Sequence, residues 1–147
     1  MDDTKKEPLF VVRGMKMDSD GKPKLGECAR TLGVRVPKDI SPDTDGVIRD
    51  GIHGMSVSPI PVFNLPKHRR PQEWGGIGKD PVFGIDESLL IKFDLRFLMD
   101  PKKDSHGYIA PVGEMSYTDY VANLHATKPL WEYVKPENNN DENSQSE

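Results

Sequence analysis

Four polar residues, spread along the chain, have the side chains that chemistry at a ribose carbon requires. Arg13 ends the apolar run LFVVRG, and Ser56 and Ser58 form an S-x-S motif in GMSVS. Glu114 follows the segment GYIAPV. An arginine fork binds phosphate through parallel hydrogen bonds. A carboxylate next to the reacting carbon stabilises the oxocarbenium-like state that forms when the bond from this carbon to the ring nitrogen of a leaving group breaks.

In chain order, these residues predict a site that uses NAD as a substrate. Arg13 would bind the nicotinamide-side phosphate or ribose, and the S-x-S motif would hold the nicotinamide ribose. Glu114 would hydrogen-bond the ribose 2′-hydroxyl and orient an acceptor. Nicotinamide leaves readily once it is held, so the reaction needs little acid catalysis. The same residue types occur in this order in many chains, so the spacing alone does not fix the function.

The basic run KHRRP, residues 67–71, offers a further place for an anion. Arg69 and Arg70 can each bind a phosphate through two guanidinium nitrogens, which lysine cannot do. A dinucleotide pyrophosphate is one ligand that fits them, and the alternative is a loop that faces only water. The nearby GGIGKD lacks the G-x-x-x-x-G-K-[ST] spacing, so it predicts a turn and not a phosphate loop.

Composition limits the fold that must position these residues. The chain has 147 residues, a length typical of one domain, and its 13 glycines and 13 prolines favour short strands and long loops. A single cysteine, Cys28, excludes an internal disulfide and fits a reducing compartment. The histidines form no H-x-x-x-H pair, and there is no long apolar run, so the sequence predicts neither a metal site nor a membrane span.

Charge divides the chain into three parts. The net charge is −4, and the last twelve residues hold acids but no bases, which leaves the body close to neutral. We therefore predict a polar lead at residues 1–7, one domain at residues 8–135 and a disordered acidic tail at residues 136–147. The neutral body argues against nucleic acid as a partner and against an RNA-binding protein that uses KHRRP.

Hydrophobic patterning predicts an α+β fold. Residues 89–100 are expected to begin as a helix and end as a strand. Ser116, with Asp119 three residues later, predicts the start of a helix whose apolar face includes Tyr120 and Leu124. Pro129 ends that helix or opens a short second one. Apolar and β-branched runs predict strands at Pro8–Gly14, His53–Pro59, Asp80–Asp86 and His106–Pro111.

Four segments together resemble a family of bacterial toxins with an ADP-ribosyltransferase-like fold, delivered between cells by type VI secretion. LFVVRG resembles the family's opening strand and its arginine. DGIHGMSVSP resembles a Gly-x-[Thr/Met]-Ser-Val segment, and HGYIAPVGEM resembles a His-x-x-Ile-x-Pro-x-x-x-Met segment. SYTDYVANL follows as the family's aromatic helix does. The resemblance runs from Leu9 to Val134. Met55 stands where the family has threonine, and Glu114 stands where it has proline.

The resemblance implies an NAD-dependent ADP-ribosyltransferase or NAD glycohydrolase that acts in the cytoplasm of a target cell. It also implies an unidentified macromolecular target and a cognate immunity protein. His106 becomes an alternative polar group for catalysis because Glu114 has no counterpart. The residues expected to contact NAD are Arg13, His53, Ser56, Ser58, Arg69, Arg70 and Tyr108, and Trp74 is a further candidate for stacking on nicotinamide. The remaining alternative is a module of the same fold that binds a nucleotide or protein without turnover.

Overall fold

The structure is a computed structural model that describes residues 9–49 and 54–136. The strands are β1 (Phe10–Gly14), β2 (Val47–Ile48), β3 (Met55–Pro59), β4 (Val82–Asp86), β5 (Leu95–Asp100), β6 (Lys103–Pro111), β7 (Met115–Ser116) and β8 (Glu132–Tyr133). Six of them form a central sheet in the order β5-β6-β3-β1-β4-β8, in which all neighbouring strands are antiparallel. Strands β2 and β7 form a separate pair.

Helix is a smaller part of the described chain. The α-helix α1 spans Tyr117–Ala126, and short 3-10 helices span Val62–Asn64, Lys67–Arg69, Gln72–Trp74, Glu87–Phe93 and Lys128–Leu130. The Ser116 side chain accepts a hydrogen bond from the Asp119 N–H at 3.0 Å, so the predicted helix start is confirmed. In the described part of the chain, no helix has the length and apolar character needed to cross a bilayer.

The mixed architecture confirms the α+β prediction, and the predicted strands appear as β1, β3, β4 and β6. Residues 89–100 divide as expected into the end of a 3-10 helix and strand β5. Pro129 lies in a single 3-10 turn, after which the chain becomes strand β8 instead of continuing as a helix. The predictions for residues 1–7, for the tail beyond residue 136 and for His53 lie outside the described residues.

One face of the sheet carries the main hydrophobic core. Side chains alternate between the two faces along a strand, so Met55 and Val57 of β3 lie on the same side as Ile109 of β6. All three are buried in the core cluster, together with Tyr120 and Leu124 of α1. Helix α1 therefore covers this face of the sheet.

The other face has only partial cover. Val12 and Val82 project from it and pack against Val62 and Leu65, which belong to the proline-rich segment at residues 59–71. That segment follows β3 and folds back over the sheet as two short 3-10 helices, Val62–Asn64 and Lys67–Arg69. The remainder of this face carries polar side chains from β3 and β6, and we call it the polar face.

Candidate functional site

A cleft opens on the polar face where β1 and β3 separate. The ladder between the two strands joins Val11 to Pro59 and Val12 to Ser58, whereas β1 pairs with β4 over five positions. Beyond Val12, the space between the strands becomes a cavity of about 160 Å³, which we call the inner cleft. Its lining is Arg13, Gly14, Ala29, Arg35, Ser56, Val57, Ser58, Leu65, Pro66, Arg69 and His106.

Arg13 is buried at the base of this cleft. Its Nη1 donates to the Ser56 carbonyl at 2.7 Å, and its Nε and Nη2 donate to the Thr31 carbonyl at 3.2 and 2.9 Å. Nη2 also lies within hydrogen-bond distance of the carbonyls of Cys28 and Gly33. Arg13 thus ties β3 to the loop at residues 28–33. Its donors are engaged by the backbone, so its contribution to a ligand is mainly positive charge.

Burial is the main cause that lowers the pKa of Arg13 to about 10, and the positive charges of Arg69 and Arg35 contribute, while the charge of Asp39 opposes the shift. The guanidinium still remains protonated at neutral pH. Arg69 and Arg35 therefore repel the charge of Arg13, although burial is the larger cause of the shift. An anion bound between them would relieve that repulsion.

Arg35 and Arg69 form two walls of the inner cleft. Arg35 is paired with Asp39, whose carboxylate accepts from the backbone and side chain of Arg35 at 2.8–3.0 Å. Arg69 comes close to β1 because Gly14 has no side chain. A β-carbon at Gly14 would lie 2.7 Å from the Arg69 carbonyl oxygen. The glycine that follows Arg13 therefore allows the KHRRP run to pack against the strand.

The S-x-S motif lies on β3, on the polar face. Ser56 and Ser58 both line the inner cleft, while the intervening Val57 lies largely in the core. Helix α1 fixes the start of this strand, since the buried Tyr120 hydroxyl accepts from the Met55 N–H at 3.0 Å and donates to the Ile109 carbonyl. The structure therefore brings Arg13, Ser56 and Ser58 together in one cleft, as the sequence pattern suggested.

His106 lies at the mouth of the inner cleft, on β6. Its Nδ1 is 3.2 Å from Asp100, and its ring packs edge-on against Tyr108 at a centroid distance of 4.9 Å. The Tyr108 hydroxyl also reaches Asp100, at 3.4 Å. A hydrogen bond from the Lys102 backbone N–H, followed by the one from His106, holds the pKa of Asp100 below its usual value. An ionised Asp100 orients the imidazole and leaves Nε2 as the nitrogen for a group in the cleft.

Tyr108 is adjacent to the serine motif, although it is not part of the cleft lining. It pairs with Ser56 across the β3–β6 ladder, and burial raises the pKa of its hydroxyl. Arg70 turns away from the inner cleft and lines a neighbouring groove instead. Trp74, the further stacking candidate, packs its ring against Phe63 and is not part of either lining.

Glu114 is the one predicted catalytic residue that the structure places away from the inner cleft. It lies in the turn between β6 and β7, its side chain is 62% exposed, and its carboxylate pairs with Arg49 at 2.8 Å. Arg49 also binds Asp43, so this ion pair belongs to the small β2–β7 sheet. Glu114 is therefore placed to support that sheet and does not face the inner cleft.

Two contributors to the site were not expected from the sequence. Arg35 belongs to a loop with no regular period, and no motif marked it. Asp100 and His106 are the first and last residues of DPKKDSH, which connects β5 with β6, and their side chains are in contact. A search of the sequence for an aspartate and a histidine at the two ends of a hairpin turn would have identified this pair. Among the described residues, no group of three or more histidine, cysteine or acidic side chains could hold a metal ion.

The inner cleft is a cationic site with hydroxyl groups and an oriented imidazole. Arg13, Arg35 and Arg69 supply positive charge, and none of the residues that line the cleft is acidic. Asp39 pairs with Arg35, and its charge also acts on the buried Arg13, so one carboxylate stands beside the cluster of three guanidinium groups. Comparison of the chain with protein-family models, with curated proteins and with solved structures gave no significant match.

Proposed function

We propose that the inner cleft binds the phosphate-bearing part of NAD and that the protein is an ADP-ribosyltransferase-like enzyme. The observation that supports this most is the cluster of three arginines beside the S-x-S motif, with no acid in the lining. Pyrophosphate is a doubly charged anion rich in acceptor oxygens, which suits such a cluster. The ordered sequence segments that resemble the toxin family support the same ligand.

In this proposal, the bond between nicotinamide and ribose breaks and nicotinamide leaves with the electron pair. The hydroxyl of Ser56 holds the ribose, and Arg69 binds the phosphate. Water or an acceptor group then adds to the ribose carbon, and Nε2 of His106 takes its proton. Asp100 stabilises the resulting imidazolium through the 3.2 Å contact with Nδ1. His106 thereby acts on the acceptor, which the sequence pattern expected Glu114 to orient.

The toxin role follows from the same proposal. An enzyme that consumes NAD or modifies a macromolecule in the cytoplasm would arrest growth of the cell that contains it. A cognate immunity protein would protect the producing cell by covering the cleft. Expression inside bacteria should therefore stop growth, and the variant Ser56→Ala should relieve the arrest.

Nicotinamide release is the direct test. The purified chain is incubated with NAD and the products are separated by chromatography, with His106→Gln, Ser56→Ala and Glu114→Gln as variants. Release should be lost in the first two and retained in the third. Loss in Glu114→Gln with retention in His106→Gln would contradict the assignment of roles, and absence of both release and NAD binding by the wild type would refute the function.

A second candidate is a module that binds a nucleotide or a protein without turnover. The position of Glu114 favours it, because the carboxylate expected to stabilise the oxocarbenium-like state is paired with Arg49 at the surface. Under this alternative, NAD or ADP-ribose binds in the inner cleft with an affinity that depends on Arg69. No nicotinamide appears in any variant.

A further inference from the structure

A second groove adjoins the inner cleft on the same face. Its volume is about 360 Å³, and we call it the outer groove. Ser58, Leu65, Pro66 and His106 line both spaces, so they are contiguous. The residues that belong to the outer groove alone include Phe63, Asn64, Lys67, Arg70, Lys103 and Ser105.

The outer groove is also cationic. Lys67 and Arg70 come from the proline-rich segment, and Lys103 comes from the opposite side, at the start of β6. No acidic residue lines the groove. Three positive charges from two separate elements therefore converge on one open space, which favours a ligand with at least one phosphate.

The groove has an aromatic surface beside these charges. Phe63 is a large apolar residue that is 60% exposed. Its ring meets Trp74 edge-on at a centroid distance of 5.6 Å, and the Arg70 guanidinium lies 5.2 Å from the ring centroid. These contacts fix the ring while leaving it accessible, so it can stack with a planar group.

Prolines and backbone hydrogen bonds constrain the segment that carries Phe63. Pro61, Pro66 and Pro71 each precede one turn of 3-10 helix, and each holds its turn at a fixed backbone angle. Two backbone hydrogen bonds close the segment, from Ile77 to Lys67 at 3.1 Å and from Gly78 to Arg70 at 2.7 Å. Little conformational entropy is therefore lost when a ligand binds here.

We propose that the outer groove is a nucleotide subsite for the adenosine monophosphate half of the ligand. The adenine base stacks on the exposed part of Phe63, and Lys67, Arg70 and Lys103 bind the adjacent phosphate. The size of the inner cleft supports this arrangement, because about 160 Å³ is too small for a whole dinucleotide. The inference rests on the proposed NAD ligand for its position beside the inner cleft, but nucleotide binding in the groove is measurable by itself.

Calorimetric titration of the full chain tests the subsite with AMP, nicotinamide mononucleotide and a six-residue oligoadenylate RNA. AMP should bind the wild type. Phe63→Ala should weaken that binding about tenfold, since stacking of a base on an aromatic ring has an effect of about this size. Lys103→Ala should weaken AMP binding less than Phe63→Ala does. The affinity for nicotinamide mononucleotide should not change in either variant. Ile77→Ala is the matched control, because Ile77 is a 70% exposed apolar residue in the loop that hydrogen-bonds to Lys67, and it lines neither space.

The outcomes separate this proposal from the proposed enzyme. AMP binding that depends on Phe63, without any nicotinamide release, supports the subsite and contradicts the enzyme. Nicotinamide release with a KM for NAD that Phe63→Ala does not change contradicts the subsite and leaves the enzyme standing. Failure of AMP to bind, an equal loss in Ile77→Ala, or binding of the RNA without AMP would each overturn the subsite.

Discussion

The two faces of the central sheet use the same strands for different purposes. On β3, Met55 and Val57 project into a closed core against α1, whereas Ser56 and Ser58 project into an open cationic cleft. The core face is apolar and densely packed, and the polar face is only partly covered by the proline-rich segment. Neighbouring residues of one strand therefore contribute separately to stability and to binding. Substitutions on the core face should lower mainly the free energy of unfolding, and substitutions in the cleft should lower mainly the affinity for a ligand.

Arg13 lines the inner cleft and also donates to backbone carbonyls beneath it, so its replacement should cause the largest loss of stability. Replacing it by methionine, Arg13→Met, removes the donors for the carbonyls of Thr31 and Ser56. We expect the free energy of unfolding to fall by about 4 kcal/mol, since each buried acceptor left without a donor costs about 1–3 kcal/mol. Urea unfolding followed by circular dichroism measures the change.

Arg30→Met is the control, because Arg30 lies in the loop at residues 28–33 that Arg13 holds, but its guanidinium is exposed and pairs with Asp80. Its unfolding midpoint should move far less than that of Arg13→Met. Equal shifts for the two variants would contradict the structural role of Arg13.

Met55→Ala tests the core face. Met55 is fully buried, and its replacement leaves a cavity that the surrounding side chains fill only in part. The free energy of unfolding should fall by about 3 kcal/mol. Ile60→Ala, just beyond the same strand and 48% exposed, should change it by less than about 0.5 kcal/mol. A small effect at Met55 would show that this face is not the packed one.

Tyr120→Phe tests the link between α1 and the serine strand. Loss of the hydroxyl leaves the Met55 N–H and the Ile109 carbonyl without that partner. We expect a loss of about 2 kcal/mol in the free energy of unfolding, measured in urea. Tyr117→Phe on the same helix is the comparison, and it should change the stability less. A neutral Tyr120→Phe would mean that the helix does not anchor β3.

Ser56→Ala should separate binding from stability. Its side chain belongs to the cleft and not to the core, so the free energy of unfolding should change by less than about 0.5 kcal/mol. Binding of ADP-ribose should weaken, as measured by calorimetry, whereas the exposed Ser41→Ala should leave it unchanged. A destabilised Ser56→Ala with unchanged binding would reverse the assignment of the two faces.

Glu114→Gln should have the smallest effect of all. The residue is exposed and pairs with Arg49 on the β2–β7 sheet, away from the inner cleft. Neither the urea midpoint nor the binding of ADP-ribose should change measurably. A marked loss of binding in this variant would place Glu114 in the site despite its position in the structure.

The sequence predicted the strands and the helix well because local patterns encode them. In GMSVSP, serines alternate with apolar residues, so the serines project from one face of the strand and the core residues from the other. The capping pair Ser116 and Asp119 marks the start of α1. The proline spacing in IPVFNLPKHRRP, at positions 61, 66 and 71, also encodes its successive turns, because each of these prolines precedes a 3-10 turn.

The site itself was only partly predictable because long-range contacts assemble it. The loop at residues 28–33 has no period of its own and takes its position from the Arg13 guanidinium. Arg35 follows this loop into the cleft wall, so no local pattern could identify it. Glu114 has the residue type and the position along the chain that the predicted NAD site requires. The direction of its side chain, however, depends on the β6–β7 turn and on the ion pair with Arg49.

The most direct measurement of the central claim is the affinity for ADP-ribose in Arg69→Ala compared with Arg30→Ala. Both arginines are partly or fully exposed, but only Arg69 lines the inner cleft. The proposed site predicts that calorimetry finds binding in the wild type, a loss of about tenfold or more in Arg69→Ala, as expected for a charged hydrogen bond to phosphate, and no loss in Arg30→Ala. Absence of binding in the wild type, or equal affinities in the two variants, would contradict it.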